Sequence, residues 1–325
     1  MKVASFFAGV GGIDIAFEVA GFDVSWANEI DANACKTYKN NFTSTLVHED
    51  IHKVQASDIP DFDVMVGGFP CQAFSVAGYR KGFDDERGNL FFELERIFLA
   101  KKPQVVFLEN VKNLVGHDKG NTFRVILDRL HEAGYHVKYK VLNACEYGNL
   151  PQNRERIYIV GFLNRDAYKE FEFPDPVELT NKLSDYVDME GQLDGRFYYT
   201  AEKCSFYDEL VKEMKSSETL YQWRRIYVRE NKNNLCPTLT ANMGTGGHNV
   251  PLVLTKEGIR KLTPQECFNL MGFPKTYKLP NDMALSHLYK QAGNSVVVPV
   301  ISRIAKNIKK AIDSTQELEI QPRLI

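Results

Sequence analysis

Six short runs rich in β-branched and aromatic residues, at positions 3–7, 24–27, 64–67, 105–108, 137–142 and 157–161, alternate with stretches of helical periodicity. Between 90 and 100, Leu90, Leu94, Ile97 and Phe98 share one helical face, and 123–130 repeats the pattern before Gly134. A strand that is followed by a helix must return to the same sheet edge-on, so this alternation predicts an α/β fold with a doubly wound, mostly parallel sheet covered on both faces. Such a sheet binds ligands beyond the carboxyl ends of its strands. The loops after Phe7, Asn28, Gly67 and Leu108 are therefore the places to look for chemistry. Beyond about Phe173 the alternation gives way to polar, aromatic and proline-containing sequence, with a glycine-rich loop at 242–247, until helical periodicity returns near Thr263. That break predicts a smaller domain over 184–284, inserted into a larger one made of 1–183 and 285–325.

Composition narrows the class. A chain of 325 residues with 44% hydrophobic content can bury a sizeable core and is not a disordered polymer. No apolar run approaches the roughly 20 residues of a membrane helix, and the N-terminus lacks the pattern of a secretory signal, so a cytoplasmic protein is expected. None of the six cysteines forms a CxxC pair, which argues against a zinc site or a disulfide framework. The net charge of −2 excludes a uniformly basic surface. A nucleic-acid groove needs only a local field, however, and the stretch 222–234 sets Arg224, Arg225, Arg229 and Lys232 against Glu230 alone. A second basic run, Arg303, Lys306, Lys309 and Lys310, reads as a solvated helix face.

Four clusters carry candidate chemistry. The turn Phe7-Ala8-Gly9-Val10-Gly11-Gly12 ends the first strand and opens a helix, with glycines that let the backbone approach a ligand. Glu29 ends the second strand, where a doubly wound fold puts an acid on ribose hydroxyls, and Asp50 follows in the next loop region. Together they imply a nucleoside ligand, a dinucleotide included. Cys71, in Pro70-Cys71-Gln72 after the strand at 64–67, is either an inert core thiol or a nucleophile, and no neighbouring histidine suggests a Cys-His hydrolase. Glu109-Asn110 follows the strand at 105–108 and offers a carboxyl group for proton transfer, or a helix N-terminal acid. Arg154 and Arg156 flank Glu155 before the strand at 157–161; paired arginines suit a phosphate or a base oxygen, and ion pairs with Glu155 or Glu146 are the structural alternative.

Taken together and in order, FAGVGG, GGFPCQAFS, ENVKN, QNRERIYIVG, RKLTPQE and GNSV resemble the bacterial C5-cytosine DNA methyltransferases, over positions 2 to about 300. The resemblance implies the class I S-adenosylmethionine-dependent fold, with 184–284 as a target-recognition domain. It implies that Cys71 adds to cytosine C6, that Glu109 holds the N3 and amino edge and supplies a proton, and that Arg156, with Arg154 beside it, serves the base oxygen. For S-adenosyl-L-methionine it implies Phe7 and Ile30 at the adenine, Gly9, Gly11 and Gly12 at the methionine part, Glu29 at the ribose and Asp50 at the adenine amino group. Pro70 and Asn294 would border the methyl-donor pocket. The family more often has tryptophan where this chain has Ile30, which implies weaker adenine stacking. Because an in-helix cytosine is out of reach of a thiol, the base must flip out. The resemblance then implies Gln222 in the vacated space and Ser75 with the 78–88 segment closing over the base. Arg225, Thr238, Leu239 and the 244–248 loop would meet the major groove and phosphates. No metal is implied. The implied partners are double-stranded DNA and, acting separately, the restriction endonuclease of a restriction-modification system, with the chain a monomer. An RNA cytosine methyltransferase, a catalytically inactive DNA-binding protein and an oxidoreductase each leave some of these motifs unused.

Overall fold

The structure, a computed structural model, describes residues 1–69, 90–244 and 250–320. The chain divides into two compact units: Met1–Leu142 with Glu155–Asp175 and Val300–Ile325, and Asn143–Arg154 with Pro176–Pro299.

The first unit is built on β1 (Lys2–Phe6), β2 (Asp23–Glu29), β3 (Thr45–His48), β4 (Val64–Gly68), β5 (Val105–Val111), β6 (His136–Asn143) and β7 (Glu155–Phe162), joined in the order β3-β2-β1-β4-β5-β7-β6. The pairs β1·β2, β1·β4, β2·β3 and β4·β5 are parallel and β5·β7 is antiparallel. In β1, an interior strand of the sheet, Val3, Ala4, Ser5 and Phe6 have no exposed surface, as a strand covered on both faces requires. Helices α1 (Gly12–Val19), α2 (Ala32–Lys39), α3 (Leu90–Lys101) and α4 (Asn121–Glu132) alternate with these strands. The face predicted for 90–100 is the buried one: Leu94, Ile97 and Phe98 pack with Phe6, Met65, Val106 and Ile126. The later basic run lies on the helix Val298–Ile320, where Lys309 pairs with Asp313 and Arg303 donates to the Asp175 carbonyl.

Two expectations need correction. The first strand ends at Phe6, because Phe7 turns into the left-handed region at φ 53° and starts the glycine loop. The fifth strand does not stop at Leu108 but runs to Val111, because Glu109, Asn110 and Val111 keep antiparallel register with Tyr158, Ile157 and Arg156. Glu109 is thus a strand residue and not a helix N-terminal acid.

The second unit contains an antiparallel sheet of β8 (Tyr221–Trp223), β9 (Val228–Glu230), β10 (Leu252–Thr255) and β11 (Gly258–Lys261), in the order β11-β10-β8-β9. Tyr221, Leu252, Ile259, Leu210 and Met214 form its core. The fully buried Arg260 is neutralised by Glu266, with contacts of 2.9 and 2.7 Å, and Glu266 also closes the capping box of the helix Pro264–Leu270. That is the structural content of RKLTPQE.

One buried group in the first unit sets a pH dependence. Asp14, in the first turn of α1, accepts hydrogen bonds from Ser5 Oγ on β1 at 2.5 Å and Tyr38 Oη on α2 at 2.6 Å. Complete burial pushes its carboxyl up from 3.8 to about 6, against the pull of those two bonds. Between these values the folded chain keeps a proton that the unfolded chain has released, so stability falls as pH rises from about 4 to 6 and is level above that. Asp14→Asn, which still accepts from Ser5, is expected to remove this decline, a relative gain on the order of 2–3 kcal/mol at pH 7. Denaturant melts of both proteins at pH 4.5 and 7 would measure it; parallel pH profiles would refute it.

Candidate active site

The carboxyl ends of β1, β2 and the chain after β3 form one cradle in the first unit. Gly9 and Gly11 take φ of 57° and 79°, values that favour glycine. At Gly11 a Cβ would lie 2.2 Å from the Phe42 ring; at Gly9, among the described residues, it would meet nothing nearer than the Phe7 carbonyl at 4.0 Å. No described residue fills the space over Gly9. Glu29, buried at the end of β2, accepts the Gly9 amide on one oxygen at 2.8 Å and the amides of Ile30 and Asp31 on the other at 2.9 and 2.8 Å. Asn28 ties β2 to the next strand by donating to the Val47 and Glu49 carbonyls. This sets Asp50, which caps a short 3₁₀ turn and is held by the His52 side chain at 2.7 Å. Those bonds from His52 pull the Asp50 carboxyl below its ordinary range. Phe7 is half-buried, Gly12 opens α1, and Ile30 is 61% exposed beside the cradle. Phe7, Gly9, Gly11, Gly12, Glu29, Ile30 and Asp50 are thus brought together.

The second cluster lies at the ends of β4 and β5. Gly68 is in register with Glu109, and a Cβ on Gly68 would stand 3.5 Å from Glu109 Oε2. Glu109 is 7% exposed, and Arg156 Nε lies 3.1 Å from its Oε1. Arg156 also donates to the Glu155 carbonyl at 2.8 Å, while Glu155 pairs with Lys112. The carboxylate and guanidinium thus form an acceptor and a donor side by side. Asn110, whose separate role the motif did not reveal, donates to the Phe69 carbonyl at 2.8 Å and accepts the Val111 amide. It fixes the chain one residue before Pro70. Pro70, Cys71 and Ser75, with the 78–88 segment and 245–248, lie outside the described residues.

The second unit holds the remaining candidates. Arg154 donates to the carbonyls of Leu239, Gly293 and Ser295 at 2.7, 3.1 and 2.6 Å, and is 2% exposed. The expectation for Arg154 is a phosphate or a base oxygen, with a Glu155 or Glu146 carboxylate as the structural alternative; these three bonds go to main-chain carbonyls instead and differ from those of Arg156. Thr238 Oγ1 donates to the Asn153 carbonyl at 2.7 Å; Leu239 is buried. Asn294 ends the helix Leu285–Asn294 and is exposed. Gln222 is 6% exposed in β8, opposite Arg229 on β9. The turn between β8 and β9 carries Arg224, Arg225 and Ile226 outward, with Ile226 85% exposed and Arg225 at φ 68°.

Known proteins resemble this chain in sequence and in fold. The family described as C-5 cytosine-specific DNA methylase matches residues 1–310. The chain is 64% identical over 314 residues to the Type II methyltransferase M.Bsp6I of Bacillus sp. (strain RFL6), covering 96% of this chain and 99% of that one. It is 40% identical to M.NlaX of Neisseria lactamica, covering 98% and 99%. Among solved structures, S. pombe Dnmt2 methyltransferase superposes with a TM-score of 0.75 at 19% identity, over 96% of this chain and 99% of that one, a likeness of fold. No helix among the described residues is long and apolar enough to cross a membrane. On the family match and the full-length identity, the chain belongs to the C-5 cytosine-specific DNA methylases and is a DNA (cytosine-5-)-methyltransferase of the bacterial restriction-modification type.

Proposed function

We propose that the chain transfers the methyl group of S-adenosyl-L-methionine to C5 of a cytosine in a short double-stranded DNA site, after flipping that base out and adding Cys71 to its C6. The observation that carries this reading is the Glu109–Arg156 pair at 3.1 Å, at the end of β5 and beside the strand that leads to Cys71. A cytosine edge offers an amino donor and N3 next to the acceptor O2; Glu109 suits the first two and Arg156 the third.

The cradle suits the cofactor. The Gly9 backbone, which no described residue covers, the carboxyl of Glu29 at the strand end and the acceptor Asp50 fit a methionine part, ribose hydroxyls and an adenine amino group in turn. Exposed Ile30 and half-buried Phe7 supply apolar surface for the adenine ring, and Pro70 and Asn294 would border the donor methyl. When bound, S-adenosyl-L-methionine supplies a methyl group on a positively charged sulfur.

Cytosine C5 is too poor a nucleophile to take that methyl unaided. The Cys71 thiolate adds to C6 while the Glu109 carboxyl protonates N3, which makes C5 the electron-rich carbon of an enamine. Arg156 holds O2 and orients the ring. C5 takes the methyl while the methyl–sulfur electron pair stays on the donor sulfur. Solvent water then removes the C5 proton, its electron pair expels the Cys71 thiolate from C6, and N3 returns its proton to Glu109, which restores the aromatic ring. Turning the base out costs a few kcal/mol. Ser75 and the 78–88 segment would close over it, and Gln222 would fill the vacated space once released from its buried seat in β8. Arg225 at the β8–β9 turn, with Thr238 and Leu239, would meet the groove, within a recognition domain at 184–284 carried by a catalytic domain of 1–183 and 285–325. Charge complementarity at Arg224, Arg225 and Arg229 supports a polyanionic partner. On this reading the protein works in the cytoplasm as a monomer and protects host DNA from a separate endonuclease.

Two linked measurements test the proposal. Bisulfite sequencing of DNA from expressing cells should reveal one short sequence methylated at C5. A duplex carrying 5-fluorocytosine at that position should then trap a cofactor-dependent covalent complex that maps to Cys71, because the proton to be lost is replaced by fluorine. Methylated DNA with no adduct would refute the covalent route.

A further inference from the structure

Three distant chain segments meet inside the second unit, and Arg154 is common to all of them. The lead-in at 151–154 is laddered to 236–238: Cys236 N donates to the Pro151 carbonyl at 2.7 Å, Asn153 N to the Cys236 carbonyl at 2.8 Å, and Thr238 Oγ1 to the Asn153 carbonyl at 2.7 Å. Where this ladder ends, Arg154 continues the connection, with Nη1 on the Leu239 carbonyl and Nη2 on those of Gly293 and Ser295. The third segment is pressed against the second. A Cβ on Gly293 would come within 2.1 to 2.4 Å of the main chain of Thr240 and Ala241, so only glycine lets the helix end lie flat on the 240–241 backbone. A guanidinium presents its donors in a fixed plane, so one cation bonded to three carbonyls sets both their spacing and their angle. An ammonium would attract the same oxygens without fixing the plane.

We infer that Arg154 is a positioning residue, not a base contact: it holds the Thr238–Leu239 pair against the 293–295 turn, so that sequence discrimination on DNA depends on this clamp. Its 2% exposure and three main-chain acceptors argue against a direct role on a flipped base. The inference rests on the proposed reading of Thr238 and Leu239 as part of the recognition surface. It also gives the two arginines of QNRER separate tasks, with Arg156 on the reacting base and Arg154 on the segment that reads the site.

The test compares Arg154→Lys, Arg154→Gln and Arg156→Lys in the full chain, using the cognate duplex identified by bisulfite sequencing and a duplex altered at one flanking base pair. Expected for Arg154→Lys is a KM for DNA raised on the order of 10-fold and a cognate-to-altered ratio of kcat/KM lowered by a similar factor, with kcat on cognate DNA within about 3-fold of wild type. Arg154→Gln should do the same more strongly; if it does not fold, Arg154→Lys carries the comparison alone. Arg156→Lys should lower kcat and leave the discrimination ratio unchanged. A fall in kcat alone for Arg154→Lys, or no change in KM and ratio, would overturn the inference. Absence of cytosine methylation by the wild-type chain would instead refute the reading beneath it.

Discussion

Cys71→Ser is expected to lower methyl transfer by about 10⁴-fold or more while leaving affinity for the target duplex within a few-fold. The asymmetry follows from the attacking atom. A few per cent of an ordinary cysteine is thiolate at neutral pH, whereas a serine hydroxyl needs a base to attack at all, and the sequence provides no histidine near position 71. No other described thiol with a resolved shift is a substitute. Burial holds Cys35 up at about 11, and it pushes Cys204, Cys236 and Cys267 above their ordinary value as well. These groups stay protonated at pH 7. Single-turnover rates with labelled cofactor and a gel-shift titration on the same duplex would separate the two effects. A serine variant that turns over within 10-fold of wild type would rule out covalent addition through residue 71.

Much of the sheet was legible because its signal is local. Strands that are buried on both faces must be continuously apolar, which marks β1, β2, β4, β5 and β7; the sixth run corresponds to β6, a partly exposed edge strand marked instead by the alternation of Val137, Tyr139 and Val141 with lysines. The strand that escaped notice was β3, at Thr45–His48: a four-residue edge strand with no fully buried side chain has neither length nor alternation to announce it. Nor could periodicity reveal that β7 runs antiparallel to β5, since that is a property of the pair. The extension of β5 to Val111 arose from the same register and moved Glu109 from a loop into a strand.

For the site, short-range geometry was readable and long-range geometry was not. Gly9 and Glu29 are separated by 20 residues, within one strand-helix-strand step, so the cradle follows from the order of elements. Arg154 bonds to carbonyls 85, 139 and 141 residues away. Main-chain acceptors leave no mark on residue type, and two arginines in one charged motif read as a pair with a shared task. Gln222 shows the same limit, because alternation cannot tell that a polar residue in so short a strand lies inside.

Glu109→Gln separates proton transfer from base positioning in the proposed reaction. The amide keeps the size of the carboxyl and can still accept from the cytosine amino group, but it has no proton to give to N3. Addition of Cys71 to C6 then builds negative charge on a ring that nothing neutralises, and the expected loss in kcat is on the order of 10²–10⁴-fold, with KM for DNA little changed. Arg156 Nε, 3.1 Å from Glu109 Oε1 in the wild type, would face a neutral group while keeping its bond to the Glu155 carbonyl. Some stability is therefore lost, and a thermal melt sets the assay temperature below that change. The decisive reading is the rate of adduct formation on saturating 5-fluorocytosine duplex, which isolates the steps up to methyl transfer. If Glu109 donates the proton, adduct formation slows by the same factor as kcat. If it only seats the base, KM rises and the saturated rate is preserved, and the acid must be sought elsewhere.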